Sequence, residues 1–228
     1  MRILCLIILL IAPLILNAQD SIKTTFSEKN YIITGIGGGM GFSDLHGEKL
    51  DKDSYKPLQF WPFGLELSFH FNPECAIVTG VFYEKKGGIM EIMFTDNTGY
   101  EIGEVDIDFK FDYLTIPLLF RYTLNGKINY YINAGPFMAK LLKQEWEFDH
   151  PDLGHVKTDA TDDYQPYDFG ITAGIGISKN VSSRWIISAE VRDNYGMKDI
   201  INYGYDPGYT LETNSISILI GAAYRFKL

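Results

Sequence analysis

The stretch S-I-S-I-L-I-G-A-A-Y-R-F-K-L, starting at Ser215, alternates with a period of two. Ile216, Ile218, Ile220, Ala222, Tyr224, Phe226 and Leu228 share one face. Ser215, Ser217, Gly221, Ala223, Arg225 and Lys227 share the other, with Leu219 alone out of step. That period belongs to a strand with one apolar face and one face fitted to a polar or tightly filled space. In water a long apolar edge of this kind invites aggregation. A closed barrel in lipid has no edge and places its apolar face outside.

The same alternation recurs and predicts eight strands. Tyr31 to Phe42 sets Ile32, Thr34, Ile36, Met40 and Phe42 against Gly35, Gly37, Gly39 and Gly41. Phe60 to Asn72 sets Trp61, Phe63, Leu65, Leu67, Phe69 and Phe71 against Pro62, Gly64, Glu66, Ser68, His70 and Asn72. Cys75 to about Lys86 groups Ile77, Thr79, Val81 and Tyr83 with a less decisive period. The fourth strand carries Leu114, Ile116, Leu118, Phe120 and Tyr122 outward and Tyr113, Thr115, Pro117, Leu119 and Arg121 inward. Strands from Ile128 to about Leu142, from Tyr167 to Ser178 and from Arg184 to Asn194 lead to the terminal one.

Just before Tyr113 the parity inverts: Val105, Ile107, Phe109 and Phe111 are apolar, while Asp106, Asp108, Lys110 and Asp112 are polar. A bulge would do this. A simpler account is a strand that continues past the lipid, where its outer face meets water and its inner face packs a small core. The lipid boundary then falls near Asp112, and the turn-like Asp96-Asn97-Thr98-Gly99 closes a projecting hairpin.

Connections alternate. Short turns are expected at 72–74, at Leu124-Asn125-Gly126-Lys127 and at 179–183, and long loops at 43–59, 87–112, 143–166 and 195–214. An even number of strands with short periplasmic turns and long extracellular loops describes an all-β, antiparallel, up-and-down transmembrane β-barrel. Strand direction then predicts two aromatic girdles. Phe71, Tyr122, Tyr130, Trp185, Tyr224 and Phe226 stand at the periplasmic ends, and Trp61, Phe63, Tyr83, Tyr167 and Phe169 at the outer ends.

Residues 1–18 read as a cleaved secretory signal peptide, with Arg2 ahead of an apolar run broken by Pro13 and Ala18 at the cleavage point. Residues 19–30 are a polar lead-in, and 31–228 form the outer-membrane β-barrel domain. Cleavage leaves Cys75 as the one cysteine, so no intrachain disulfide supports the fold. Loss of Arg2 takes the formal charge from −9 to −10, which with export argues against nucleic acid. The mean hydropathy of −0.04 is what strands alternating between lipid and lumen average to.

Glu66, His70, Arg121, Asp168, Glu190, Arg192 and Arg225 fall on the inward parity. An eight-stranded barrel is just wide enough for side chains to fill, so these charges are expected to pair in a structural lumenal network. A narrow ion path is the sharper alternative. Ser68 and His70 share the lumenal face beside Glu66, the residue types of an acyl hydrolase, but a plugged lumen would keep substrate from them. The acidic stretch 145–163, with His150 and His155, lacks the loop spacing of a calcium site and the spacing of a zinc site. A solvated acidic loop is expected, and no cofactor or metal is assigned. The glycines of Gly35 to Gly41 lie inside a strand with no helix pattern after them, which excludes a nucleotide loop.

The chain resembles the PorT-type outer-membrane β-barrel family of the Bacteroidota. The resemblance lies in Tyr113 to Leu119 (Y-L-T-I-P-L-L), Asn133 to Pro136 (N-A-G-P), Asp168-Phe169-Gly170, Arg192 to Ile200 (R-D-N-Y-G-M-K-D-I), Tyr83 to Gly88 and the alanine before Gln19. It implies a compartment, the outer membrane of a Gram-negative bacterium, and supplies no catalytic residues. The expected function is non-enzymatic: long surface loops for interaction, or assistance to an envelope or secretion complex. The expected partners are the lipid bilayer, the barrel-assembly machinery and an envelope or secretion protein, with both termini periplasmic. Two rivals are a secreted lipocalin-like barrel binding a small apolar ligand and an outer-membrane lipid hydrolase. A lipocalin needs its apolar face inside, opposite to the pattern here.

Overall fold

The computed structural model describes residues 30–47, 55–95, 101–150, 154–202 and 210–227. The signal-peptide reading of 1–18, nearly all of the lead-in, the turn at Asp96 to Gly99, and Leu228 lie outside them. Ten strands follow in order: β1 Tyr31–His46, β2 Tyr55–Phe60, β3 Phe63–His70, β4 Cys75–Thr95, β5 Glu101–Leu124, β6 Asn129–His150, β7 Gly154–Asp159, β8 Tyr167–Asn180, β9 Trp185–Gly196 and β10 Glu212–Lys227. A 3-10 turn, Thr161–Asp163, precedes β8. No helix among the described residues is long and apolar enough to cross a membrane.

The strands close into a ring of eight antiparallel staves. β2 and β3 are two halves of one stave, and β7 pairs only with the upper part of β6. β1 and β10 shut the ring along their whole length, from Tyr31 opposite Lys227 to His46 opposite Glu212. A row of paired residues leaves β1 at Phe42 and passes Ile216, Asp193, Ala173, Ala134, Phe120, Ile77 and Phe69. It re-enters β1 at Ile32, ten residues lower. With eight staves that stagger tilts the strands by about 40° from the barrel axis.

Side-chain exposure follows the parity read from the sequence. On β10, Ile216, Ile218, Ile220 and Phe226 are about half exposed, while Ser215, Ser217 and Leu219 are buried. The out-of-step Leu219 therefore points inward, where it is 6% exposed. The outward faces form a continuous apolar belt, which in water would leave this barrel insoluble.

Several expected boundaries move. The stretch from Phe60 to Asn72 is not one strand: it breaks at Trp61-Pro62, because proline has no N–H to give the ladder. The Pro62 carbonyl still accepts from Gly39 N at 3.0 Å, so the stave keeps its register across the break. Within the expected loop 43–59, residues 43–46 belong to β1 and 55–59 to β2, with Ser43, Leu45 and Leu58 buried, as is the neighbouring Phe60; 48–54 lie outside the described residues. The expected loops 87–112 and 143–166 are corrected more strongly. β4, β5, β6 and β7 run on as a tall hairpin wall above the belt, paired from Lys86 opposite Phe111 to Thr95 opposite Glu101 and from Glu145 opposite Asp159 to His150 opposite Gly154.

That wall decides between the two accounts of the inversion at Asp112. β5 keeps its odd residues inward without interruption, so Phe111, Tyr113, Thr115 and Leu119 are all buried. Only the outward environment changes. A bulge is present, but it lies on β6: Asp112 faces Lys143 and Tyr113 faces Leu141, leaving Leu142 as the extra residue. Inside the wall's base sits the apolar core of Leu45, Phe111, Tyr113, Phe137, Ala139, Leu141, Ile200 and Leu211.

Outside, the wall is laced by ion pairs. Lys110 meets Glu147 at 2.6 Å, and Lys157 meets Glu147 at 2.7 Å and Glu145 at 3.0 Å. Lys143 also pairs with Glu145, and Lys56 with Glu91 at 2.8 Å. Hydrogen bonds from Lys110 first, then Lys157, hold the Glu147 carboxyl down at about 2, against an ordinary 4.5. A carboxylate depressed in the folded state stabilises it above its unfolded pKa, and that contribution is lost as pH falls through the folded value. Hydrogen-exchange protection of residues 145–150 and 154–159 is therefore expected to be full at pH 6 and to decline between about pH 4.5 and 2. Glu147→Gln should lower protection at pH 6 and flatten the decline; an unchanged pH response in that variant would contradict the assignment.

Candidate functional site

The lumen is where the fold gathers most of its buried polar side chains, and they meet in layers. At its centre β3, β5, β6 and β9 bring together Glu66, Arg121, Asn133 and Tyr131, and Glu190 and Arg192. Arg121 Nη2 donates to Glu66 Oε1 at 3.0 Å and its Nε to Asn133 Oδ1 at 2.8 Å. Arg192 Nε donates to Glu190 Oε1 at 2.7 Å and its Nη2 to Glu66 Oε2 at 3.3 Å. Glu190 Oε2 accepts from Tyr131 OH at 3.1 Å and Asn133 Nδ2 at 3.0 Å. The guanidinium of Arg121 lies 4.3 Å from the Tyr131 ring and that of Arg192 4.6 Å from the Phe82 ring. Glycines make the room. A Cβ on Gly176 would stand 2.3 Å from the Tyr131 ring and one on Gly174 2.8 Å from Glu190 Oε1.

Above this layer Glu84 accepts from Thr115 Oγ1 at 2.9 Å and Asn194 Nδ2 at 3.0 Å, and Asn194 Oδ1 accepts from Thr172 at 2.7 Å. Higher again, Lys86 reaches across from β4 and donates to Asp168 Oδ2 and Thr213 Oγ1, both at 3.2 Å. Thr213 in turn donates to Asp168 Oδ2 at 2.7 Å. Lys86 and Asp168 are both fully buried, with the ammonium 4.4 Å from the Phe137 ring. The apolar core of the wall's base caps the column.

Below the centre, Ser68 Oγ lies 3.1 Å from His70 Nε2, and His70 stacks on Tyr31 at 4.4 Å. Ser68 is 1% exposed, and His70 Nδ1 has no hydrogen-bond partner among the described residues. A serine–histidine hydrolase needs a group to orient that nitrogen and an open approach to the hydroxyl. Neither is present among the described residues.

Of the seven inward charges expected from the sequence, Glu66, Arg121, Glu190 and Arg192 come together in one cluster. Asp168 belongs to a separate layer with Lys86. His70 sits with Ser68 and Tyr31. Arg225 lies at the lower rim, over the Tyr31 ring at 4.9 Å, and donates to Asn180 Oδ1 at 3.1 Å. Sequence reasoning missed Glu84, Lys86, Tyr131 and Asn133, and set Asn194 on the inward parity of its strand without assigning it to the network. A signal existed for the first two, since they stand on the parity opposite Ile77 to Tyr83.

Apart from 151–153, which lie outside the described residues, the acidic stretch is not a loop but β6, β7 and the turn after them; lysines hold Glu145 and Glu147, and Asp149 pairs with His155 at 3.0 Å. No group of three metal-ligating side chains gathers among the described residues. The outward aromatics fall at two levels. Trp185 packs on Tyr224 at 5.3 Å and Tyr224 on Phe226 at 4.9 Å at the end bearing the short turns, with Phe71, Tyr122 and Tyr130. Phe63 packs on Tyr83 at 5.3 Å towards the other end, with Trp61, Tyr167 and Phe169.

Residues 17–202 match the model of the outer membrane protein beta-barrel domain. The chain belongs to that family. It is an outer-membrane β-barrel protein, embedded in the lipid bilayer. No curated protein matches it. Among solved structures it is similar to Neisserial surface protein A (14% identity, 86% of this chain and 97% of that one, TM-score 0.49). It is also similar to a major outer membrane protein of Thermus thermophilus (11% identity, 86% and 99%, TM-score 0.48). A third is Ail, the attachment invasion locus protein of Yersinia pestis (17% identity, 87% and 99%, TM-score 0.43).

Proposed function

We propose that this barrel is a non-catalytic, non-conducting scaffold that presents the β4–β7 wall outside the cell, for surface contact or as part of an envelope or secretion complex. The observation that carries the reading is the filling of the lumen. Layer on layer of paired charges is closed by an apolar cap, while the structure extends instead into a wall above the belt. In this reading the short turns and both termini face the periplasm. The two levels of aromatic side chains mark the two interfaces, and the inward charges serve the fold. The PorT-type lineage is supported by the run Tyr113 to Leu119 and by Arg192 to Ile200, which build β5 and the end of β9.

Two measurements test it. Reconstituted in planar bilayers, the purified barrel should show no discrete conductance steps; regular steps would overturn the closed lumen. Replacing residues 146–158 with an Asn-Gly turn should leave heat-modifiable electrophoretic mobility intact, because the cut lies beyond the belt. The same variant should lose a cross-linked partner that the unaltered chain retains in intact cells. Failure to fold would make the hairpin structural instead.

A further inference from the structure

β7 lies wholly above the inversion at Asp112, where the outer face of the wall meets water, and β6 is its one partner among the described residues. Ala160 N donates to Gln144 O at 3.2 Å, which fixes the phase of the pairing. Bonded and non-bonded pairs alternate along an antiparallel ladder, so Thr158, Val156 and Gly154 exchange bonds with Trp146, Phe148 and His150. The backbone N–H and C=O groups of His155, Lys157 and Asp159 therefore point to the other edge. Sheet edges of this kind are ordinarily blunted by proline, a bulge or projecting charges. β7 has no proline, its register with β6 is unbroken, and its three outward side chains are drawn back onto their own chain. His155 Nδ1 lies 3.0 Å from Asp149 Oδ1, Lys157 is held by Glu145 and Glu147, and Asp159 accepts from Thr161 N and Oγ1.

We propose that this edge of β7 takes up an extended segment of a partner protein, one that alternates basic and apolar residues, as an added strand of the wall. The open N–H and C=O groups of His155, Lys157 and Asp159 recur at strand spacing and give the backbone match, which any extended chain can satisfy. The side chains beside them select the occupant. On the inner face Val156 and Thr158 continue the row of Phe148 and Trp146, so the added strand sets apolar groups there. On the outer face Lys157 is already matched by two carboxylates, and the exposed Asp149, Asp159, Asp162 and Asp163 leave the surroundings of the edge negative. Lysine or arginine at alternate positions of the partner meets that charge. The inference rests on the reading of the wall as a contact surface, and it names the edge and the chemistry of the partner.

The test uses the purified full chain folded in detergent micelles and a short end-blocked peptide alternating lysine and valine, read by residue-resolved hydrogen exchange and fluorescence anisotropy. Without peptide, the amides of Val156 and Thr158 should exchange slowly and those of His155, Lys157 and Asp159 fast. With peptide the latter three should gain protection. N-methylation of one alternate set of peptide amides should abolish binding and of the other set leave it, since only one edge of the peptide faces β7. Lys157→Pro should weaken binding by about tenfold or more, while Lys157→Ala, which loses the same ion pairs but keeps the N–H, should bind normally. In both variants Val156 and Thr158 should stay protected. Protection of His155, Lys157 and Asp159 without peptide would assign the edge to the chain's own residues, or, if it grows with protein concentration, to a second copy; either overturns the proposal. So would no gain of protection with peptide, equal loss from both methylated sets, or equal binding of the peptide with glutamate in place of lysine. These readings use purified chain and peptide, whereas the cross-link in intact cells tests the wall itself, so the two failures are distinguishable.

Discussion

Replacing Asp168 with alanine is expected to cost the folded barrel about 3–5 kcal/mol, the penalty for leaving a buried charge without its partner. Lys86 is fully buried, and its ammonium has Asp168 Oδ2 and Thr213 Oγ1 as hydrogen-bond acceptors, with the Phe137 and Tyr113 rings around it. Removing the carboxylate leaves one hydroxyl and two ring faces to hold a desolvated cation, at the point where the polar column meets the apolar cap. The double variant Lys86→Met with Asp168→Leu should recover most of the loss, because a well-packed apolar pair of similar volume commonly equals or exceeds a buried ion pair. Urea unfolding in lipid vesicles, followed by tryptophan fluorescence and by mobility without boiling, reads both. Equal stability of the two variants would show that the loss comes from volume and not from charge.

Ending the chain after Gly221 is expected to prevent insertion altogether. The deleted segment carries the pairing of β1 from Tyr31 through Ile36 and of β9 from Trp185 through Ile187. Without it two strands face lipid with open backbone groups, each costing several kcal/mol, and no closed ring remains. The same segment ends in Tyr224-Arg225-Phe226-Lys227-Leu228, which resembles the aromatic-bearing end that assembly machinery recognises, apart from leucine at the last position. Folding purified chains into detergent micelles, with no machinery present, separates the two roles. The truncated chain should fail there, while Phe226→Ala should fold. A truncated chain that folds in micelles would leave recognition, not closure, as the segment's contribution.

The difference between these two predictions marks what a local pattern can carry. Closure was legible because a strand's period of two is a property of neighbouring residues. Inward and outward sets on β3, β5, β8, β9 and β10 could be read directly, and with them Glu66, Arg121, Asp168, Glu190 and Arg192 as lumenal. β4 resisted, because Val78 and Phe82 on one parity are as apolar as Ile77 and Val81 on the other. Glu84 and Lys86 were therefore not placed. The extramembrane wall was half legible: the inversion at Asp112 marked the boundary, but strands whose outer face is charged look like loops when apolar content is the guide.

The sequence alone determined which face of every strand but β4 meets lipid, and so that the chain is a barrel of eight staves turned outward in the membrane. Only the tertiary structure decided which inward groups meet. A stagger of ten residues around the ring sets the height of every side chain relative to its neighbours. That stagger places Lys86 beside Asp168 and brings Glu66 within reach of both Arg121 and Arg192. Parity is written in adjacent residues; height is a sum over the whole circumference, and no single strand contains it.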